Sequence, residues 1–229
     1  MRDHDTVTHP APSNATSYDQ WFDGPWGRYA FTVEAAAVTK STRGIGARRT
    51  LDTGCGTGRF TTVLAATSAA TFGSDPDPDM LEVARARVGD RIACAPVEAL
   101  PFPDGTFDLT AAITVLEFVA DPAAATAELA RVTRDGGRII IGALNPRSPW
   151  GLANRRRLRS GLWCQARFLT RRELRQLAAP GDTITLRSSL YAPGVLPGLP
   201  VIGPVLEALG RVAPGFGAFQ VLSIDKAPR

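Results

Sequence analysis

From Arg48 onward the chain alternates between two hydrophobic rhythms. Short runs of consecutive apolar residues end on polar or glycine-rich turns. Longer stretches place apolar residues three and four apart. The strand-length stretches are Arg48–Asp52, Ala70–Ser74, Ile92–Ala95, Leu109–Ile113 and Arg138–Leu144, the first of them with a basic start. The longer stretches are Phe60–Ala66, Met80–Ala84 and Ala123–Val132. Continuous apolar runs of strand length predict strands buried on both faces, and the intervening periodicity predicts helices packed over them. Strand and helix in alternation predict a doubly wound α/β sheet.

The flanks read differently. Residues 1–16 are polar, carry Pro10 and Pro12, and are expected to be a disordered leader. Residues 17–229 are expected to form one domain: an aromatic and helical arm (17–45), a core (46–145) and a C-terminal part with substrate-side insertions (146–229). In the arm, Tyr18, Trp21, Phe22, Trp26 and Tyr29 precede a helix face of Phe31, Val33, Ala36, Ala37 and Val38, with a break at Gly24-Pro25. Asp121-Pro122 reads as a helix start, Asp as N-cap and Pro in the first turn. Arg134-Asp135-Gly136-Gly137 is expected to stop that helix before a strand at Arg138. Thr170-Arg171-Arg172-Glu173 reads as a capping box. Thr183–Leu190 and Ala218–Ile224 read as strands, with an amphipathic piece at Val201–Val212 between them.

The stretch with the most chemistry is Asp52-Thr53-Gly54-Cys55-Gly56-Thr57-Gly58, set between the first strand and the first core helix. Glycines there supply torsions closed to other residues and let a ligand approach bare backbone. No Lys-Ser or Lys-Thr pair follows, which excludes a phosphate-gripping P-loop. The dinucleotide spacing is broken too, because Arg59 stands where the third glycine would be. Asp75 ends the second strand about twenty residues beyond the glycines, where an acid takes ribose hydroxyls in βαβ units. Asp77 and Asp79 suit the first turn of the next helix.

An acid leading G-x-G-x-G resembles the first motif of the class I methyltransferases. Residues 98–108, Glu-Ala-Leu-Pro-Phe-Pro-Asp-Gly-Thr-Phe-Asp, together with Leu129-Ala130-Arg131-Val132 and the Gly136–Ile141 run, resemble the UbiE/Coq5-like (Methyltransferase-11) group. The resemblance covers residues 50–145. It implies a Rossmann-like seven-stranded sheet with an antiparallel last strand, and S-adenosylmethionine (SAM) as cofactor. It places Asp52, Thr53, Gly54, Cys55, Gly56 and Gly58 around the methionyl part, with Tyr18 or Arg28 at its carboxylate. Asp75 and Pro76 would take the ribose, Met80, Val97 and Glu98 the adenine, and Thr114 the sulfonium. Many relatives carry Asp where Pro96 stands, so adenine recognition is expected to fall on the Val97 backbone and Glu98. Glu117 stands where relatives often have His, faces the cleft in this reading, and is the candidate base.

Composition narrows the rest. With 44% hydrophobic and 21% charged residues among 229, the chain has ample material for a core. The net charge of +4 rests almost wholly on arginine, lysine occurring only at 40 and 226. Three widely spaced cysteines form no C-x-x-C, which argues against a zinc site or disulfide framework and fits a cytoplasmic location. The expected partner is a small, apolar acceptor molecule. Arg155, Arg156, Arg157, Arg159, Arg167, Arg171 and Arg172 keep two rivals open: an RNA or DNA acceptor, and contact with a membrane surface. A SAM-binding module without turnover is a third.

Overall fold

The computed structural model describes residues 15–154, 165–192, 199–210 and 212–228. Arg155, Arg156, Arg157 and Arg159, and most of the expected leader, lie outside these residues. Two helices come first, α1 (Ala15–Trp21) and α2 (Pro25–Ser41). Pro25 starts α2 because its missing N–H would have no partner in a first turn. The core then runs β1 (Arg49–Thr53), α3 (Arg59–Ala65), β2 (Ala70–Asp75), α4 (Pro78–Val88), β3 (Ile92–Cys94), β4 (Phe107–Ile113), α5 (Pro122–Val132) and β5 (Thr133–Leu144). The C-terminal part adds α6 (Pro149–Ala153), α7 (Arg171–Arg175), β6 (Thr183–Ser189), α8 (Leu199–Gly210) and β7 (Phe219–Asp225).

The seven strands form one sheet in the order β3-β2-β1-β4-β5-β7-β6. Strands β1 to β5 are parallel, while β7 runs antiparallel to both β5 and β6. Alternation along the central strands divides the core between two faces. Leu109, Ala111, Ile113 and Ile140 pack with Trp26, Ala30 and Val38 of α2. Ala112, Ile139, Ile141 and Ala143 pack with Ala125, Leu129 and Val132 of α5. Both faces of β4 and β5 are therefore buried, which is why their sequences read as unbroken apolar runs.

Capping follows the expected chemistry. Asp121 accepts from the Ala123 and Ala124 amides, and Thr170 and Glu173 close a reciprocal capping box. One boundary differs: β5 begins at Thr133 rather than Arg138. Thr133 pairs with Phe107 ahead of a register shift. The Arg134 guanidinium reaches Asp108 at 2.6 Å, and the Lys226 amide donates to the Gly137 carbonyl at 2.9 Å. Those tethers hold residues 134–137, with Gly136 at φ +68°, as a bulge against β4 rather than as a free turn.

The order of the strands fixes where a ligand can sit. β1 lies between β2 and β4, so the chain leaves β1 toward one neighbour and returns in β4 on the other side. The turns after β1 and β4 diverge there and open a crevice beyond the strand C-termini.

Candidate active site

The glycine loop occupies that crevice. The Cys55 amide donates to the Ser74 carbonyl and the Gly58 amide to the Cys55 carbonyl, both at 2.9 Å, which folds residues 54–58 tightly over the end of β1. Gly54 has φ +62°, and a Cβ built on it would lie 2.3 Å from Val115 Cγ2 in the turn after β4. Only a glycine satisfies both the torsion and this contact. Gly56, at φ +53°, meets nothing nearer than the Tyr18 ring at 3.9 Å, so its open side faces a cavity.

Asp75 is joined to the same loop. Its Oδ2 accepts from the Gly56 amide at 2.8 Å and its Oδ1 from the Asp77 amide at 2.9 Å. Each oxygen retains a second lone pair, and 8% of the residue stays accessible. Burial raises its pKa against the opposing pull of these two amides. Asp52 is buried beneath the loop, where it borders the cavity, and accepts from Thr61 Oγ1 at 2.6 Å. Burial pushes it up to about 7.

A small cavity of about 60 Å³ is lined by Tyr18, Phe22, Asp52, the loop from Gly54 to Thr57, Ile113 and Thr114, among others. That is far below the roughly 300–1,000 Å³ usual for small-molecule pockets. Tyr18 and Phe22 of α1 close it on one side. Their helix is latched by Asp19, which accepts from Thr57 Oγ1 at 2.8 Å, Arg59 Nε at 2.7 Å, and Arg87. Arg87 also donates to the Thr57 carbonyl at 2.7 Å, and Arg59 lies over the Phe22 ring. Burial alone would raise the Asp19 pKa, but these hydrogen bonds hold it below the usual carboxylate value. The Tyr18 phenol is pushed up to about 12 by burial and then by Glu34, Asp75 and Asp19, so it remains a hydrogen-bond donor at neutral pH. The Cys55 thiol is likewise driven up, by burial and then by Asp52 and Asp75, which leaves it unreactive.

The structure thus gathers Tyr18, Asp52, Gly54, Cys55, Gly56 and Thr114 around one cavity, with Asp75 tied to it through Gly56. Gly58 caps α3 with φ +84°. Thr114 takes a left-handed φ of +54°. The Thr53 side chain is turned into the sheet, where it accepts from Ser74 at 3.1 Å, so only its backbone faces the loop. Met80 is buried at the start of α4, Val97 sits in the core, and Pro76 and Glu98 are exposed. Arg28 is not among the residues lining the cavity; exposed on α2, it donates to the Asp23 carbonyl.

Glu117 is buried rather than open to a cleft. It is 1% exposed, and its Oε1 accepts from the Leu144 amide at 2.8 Å. Its Oε2 is sealed and has no hydrogen-bond partner among the described residues. Burial pushes its pKa up to about 7.

Two features escaped the sequence reading. The Asp19–Thr57–Arg59–Arg87 latch joins residues 38 to 68 positions apart, and no local spacing encodes it. Glu34 left a readable signal: it falls on the α2 stripe Trp26, Ala30, Glu34, Val38, where every other member is apolar and buried.

The donor set suits SAM. Carboxylates and bare backbone match hydroxyls and an amino-acid tail, and the loop has no lysine to hold a phosphate. Residues 51–141 match the family described as Methyltransferase domain. An uncharacterized protein of Mycobacterium tuberculosis is 35% identical over 221 residues, covering 95% of this chain and 74% of that protein. A solved SAM-dependent methyltransferase of Thermotoga maritima, named as a possible histamine N-methyltransferase, is 25% identical with a TM-score of 0.71, covering 92% of this chain and 95% of that one. The geranyl diphosphate C-methyltransferase of Streptomyces coelicolor, solved with S-adenosyl-L-homocysteine bound, superposes with a TM-score of 0.59 at 19% identity, over 93% of this chain and 82% of that one. The chain belongs to the class I SAM-dependent methyltransferases. SAM is its cofactor.

Proposed function

We propose that this methyltransferase acts on a small, predominantly apolar metabolite. The observation that carries the reading is the aromatic side of the cavity. Tyr18, Phe22 and Phe60 line it, Phe31 stacks edge to face on both phenylalanines, and Trp21, Trp26 and Tyr29 belong to the apolar core that α1 and α2 pack on. Such a surface shields an apolar acceptor from water and gives phosphate groups no purchase.

Within this reading Asp75 takes the ribose hydroxyls on the free lone pairs of a carboxylate already aligned by two amides. Asp52 and the backbone of residues 53–58 hold the methionyl part, with Tyr18 donating its hydroxyl to the carboxylate end. Pro76, Met80, Val97 and Glu98 frame the adenine, and Thr114 lies beside the sulfonium. When bound, the cofactor supplies a methyl group activated by a positive sulfur, so the protein's task is orientation and exclusion of water. The Leu-Pro-Phe stretch at 100–102 supports a UbiE/Coq5-like grouping.

The acid test is a transfer assay with methyl-labelled SAM against apolar amines, phenols and quinols, with total RNA alongside. Label on a small molecule and none on RNA is expected. Label on RNA alone would replace this reading with the nucleic-acid one. Among the described residues Arg167 pairs with Glu173, and Arg171 donates to Ser188, so both are engaged within the fold.

A further inference from the structure

The large apolar side chains that stay exposed among the described residues gather at one rim of the molecule. Phe118 follows β4, Leu152 sits on α6 after β5, and Ile202, Val205, Leu209, Val212 and Phe216 lie on α8 and the turn that leads from it to β7. β6 runs in the same direction as β5, so all of these segments leave the same end of the sheet, the end at which the cofactor crevice opens. α8 has two unlike faces. Gly203, Leu206, Glu207 and Gly210 turn inward. The two glycines leave room only for the Tyr29 and Tyr191 rings, and Leu206 packs on the core. Glu207, the one charged residue of the helix, accepts from the Leu190 amide at 3.0 Å and the Tyr191 amide at 2.7 Å. The outward face of Ile202, Val205 and Leu209 is left wholly apolar, with Val205 57% and Leu209 65% exposed.

Charge says what this face meets. Residues 146–217 hold eleven of the 26 basic and three of the 22 acidic side chains, so this stretch carries +8 and the rest of the chain −4. Two of its arginines flank the turn that bears Phe216. Arg171 donates to the Pro214 carbonyl at 3.3 Å. Asn145, two residues before the exposed Arg147, donates to the Gly215 and Gly217 carbonyls, both at 2.9 Å. A contiguous exposed apolar face marks an interaction surface. A second copy of the chain docked on it would set one +8 segment against another. A nucleic acid would answer the arginines and leave the apolar stripe in water. An anionic bilayer answers both, with acyl chains for the stripe and phosphates for the arginines.

We propose that α8, the Pro214–Phe216 turn and α6 dock the protein on an anionic lipid surface, whichever acceptor it methylates. α8 lies in the plane of the interface, since no described helix is long and apolar enough to cross a membrane. Ile202, Val205, Leu209 and Phe216 enter the boundary of the acyl chains, while Arg147 and Arg171 sit among the headgroup phosphates. The apolar side chains gain by leaving water. The arginines gain from the negative surface potential, which decays within a Debye length and so weakens as salt rises. The C-terminal end of the sheet, and with it the opening of the cofactor crevice, then faces the lipid.

The test is flotation of the full chain with two kinds of vesicle, phosphatidylcholine alone and phosphatidylcholine with about 30% phosphatidylglycerol. Partitioning onto the anionic vesicles is expected to exceed that onto the neutral ones at least about tenfold, and to fall as salt is raised. Val205→Asp combined with Leu209→Asp should lower binding to the anionic vesicles at least about tenfold. Both side chains are exposed, so S-adenosylhomocysteine affinity and far-UV circular dichroism should not change. Arg147→Glu should weaken anionic binding and leave neutral vesicles unaffected. No flotation with anionic vesicles overturns the proposal, and so does flotation that survives the double substitution. A dimer in sedimentation velocity that the double substitution dissociates, without vesicle binding, would give the face to a second copy instead. Retention of total RNA without vesicle binding would give the arginines to nucleic acid. Should the double variant fold poorly, the comparison of anionic with neutral vesicles on the wild type decides alone.

Discussion

Asp75→Asn tests the geometry of the cofactor site most directly. The two side chains have nearly the same shape, so the change removes a charge and one acceptor without leaving a void. In the wild type, Oδ2 takes the Gly56 amide at 2.8 Å and Oδ1 the Asp77 amide at 2.9 Å. An asparagine has one oxygen and one NH2 group, so one of those amides must face another donor. A buried donor left unsatisfied costs about 1–3 kcal/mol. In a protein of this size each kcal/mol corresponds to roughly 2–4 °C in Tm. On the proposed ribose role of Asp75, binding should suffer further, because a charged acceptor for two hydroxyls is lost, and hydrogen bonds to charged groups contribute about 1.5–3 kcal/mol each. S-adenosylhomocysteine affinity should therefore fall by more than tenfold, 1.4 kcal/mol being about one factor of ten. Calorimetric titration measures the affinity and thermal unfolding the stability, on the same preparations. A variant that melts and binds like wild type would refute the claim that both Asp75 oxygens organise the loop. A variant that melts lower yet binds normally would keep Asp75 as a scaffold and remove it from the ribose.

Three further expectations follow from the same geometry. Gly54→Ala adds a Cβ 2.3 Å from Val115 Cγ2 and forces alanine into φ +62°, at about 1–2 kcal/mol for the torsion plus about 1–3 for the overlap; adding Val115→Ala should recover the overlap part alone, as a double-mutant cycle in urea would show. Asp19→Ala should free α1 from the loop, seen as faster amide exchange across residues 15–23 with β4 and β5 unchanged; undiminished protection there would deny the latch. The third concerns pH. Glu34, Glu117 and Asp52 are raised to about 8, 7 and 7 from ordinary values of 4.5, 4.5 and 3.8, chiefly by burial. The folded protein holds their protons more tightly than the unfolded chain, so stability is greatest below the ordinary values and is lost as pH rises toward 8. Tm should be higher at pH 6 than at pH 8.5, and Glu34→Gln should flatten the slope; an equal slope in that variant would show that Glu34 titrates normally.

The α/β class, the glycine loop after β1 and the place of Asp75 at the end of β2 were legible in the sequence because each is a local matter. Buried parallel strands need unbroken apolar runs, and a tight turn over a ligand needs glycine at fixed spacing. Asp121-Pro122 and Thr170–Glu173 were equally plain, since a cap satisfies amides two or three residues away. The start of β5 was not, because the bulge between Thr133 and Arg138 is held to the sheet by Asp108 of β4 and by Lys226 just after β7. Nor was the latch of α1, whose partners come from three separate elements. Glu117 shows the division within one residue. Its position after β4 followed from the motif order, but its burial is decided by β5, whose Leu144 amide draws the carboxyl inward. Periodicity reports which way a side chain leaves its own helix or strand. Only the packed sheet determines which other segments surround it, and that surrounding sets its charge, its partners and its use.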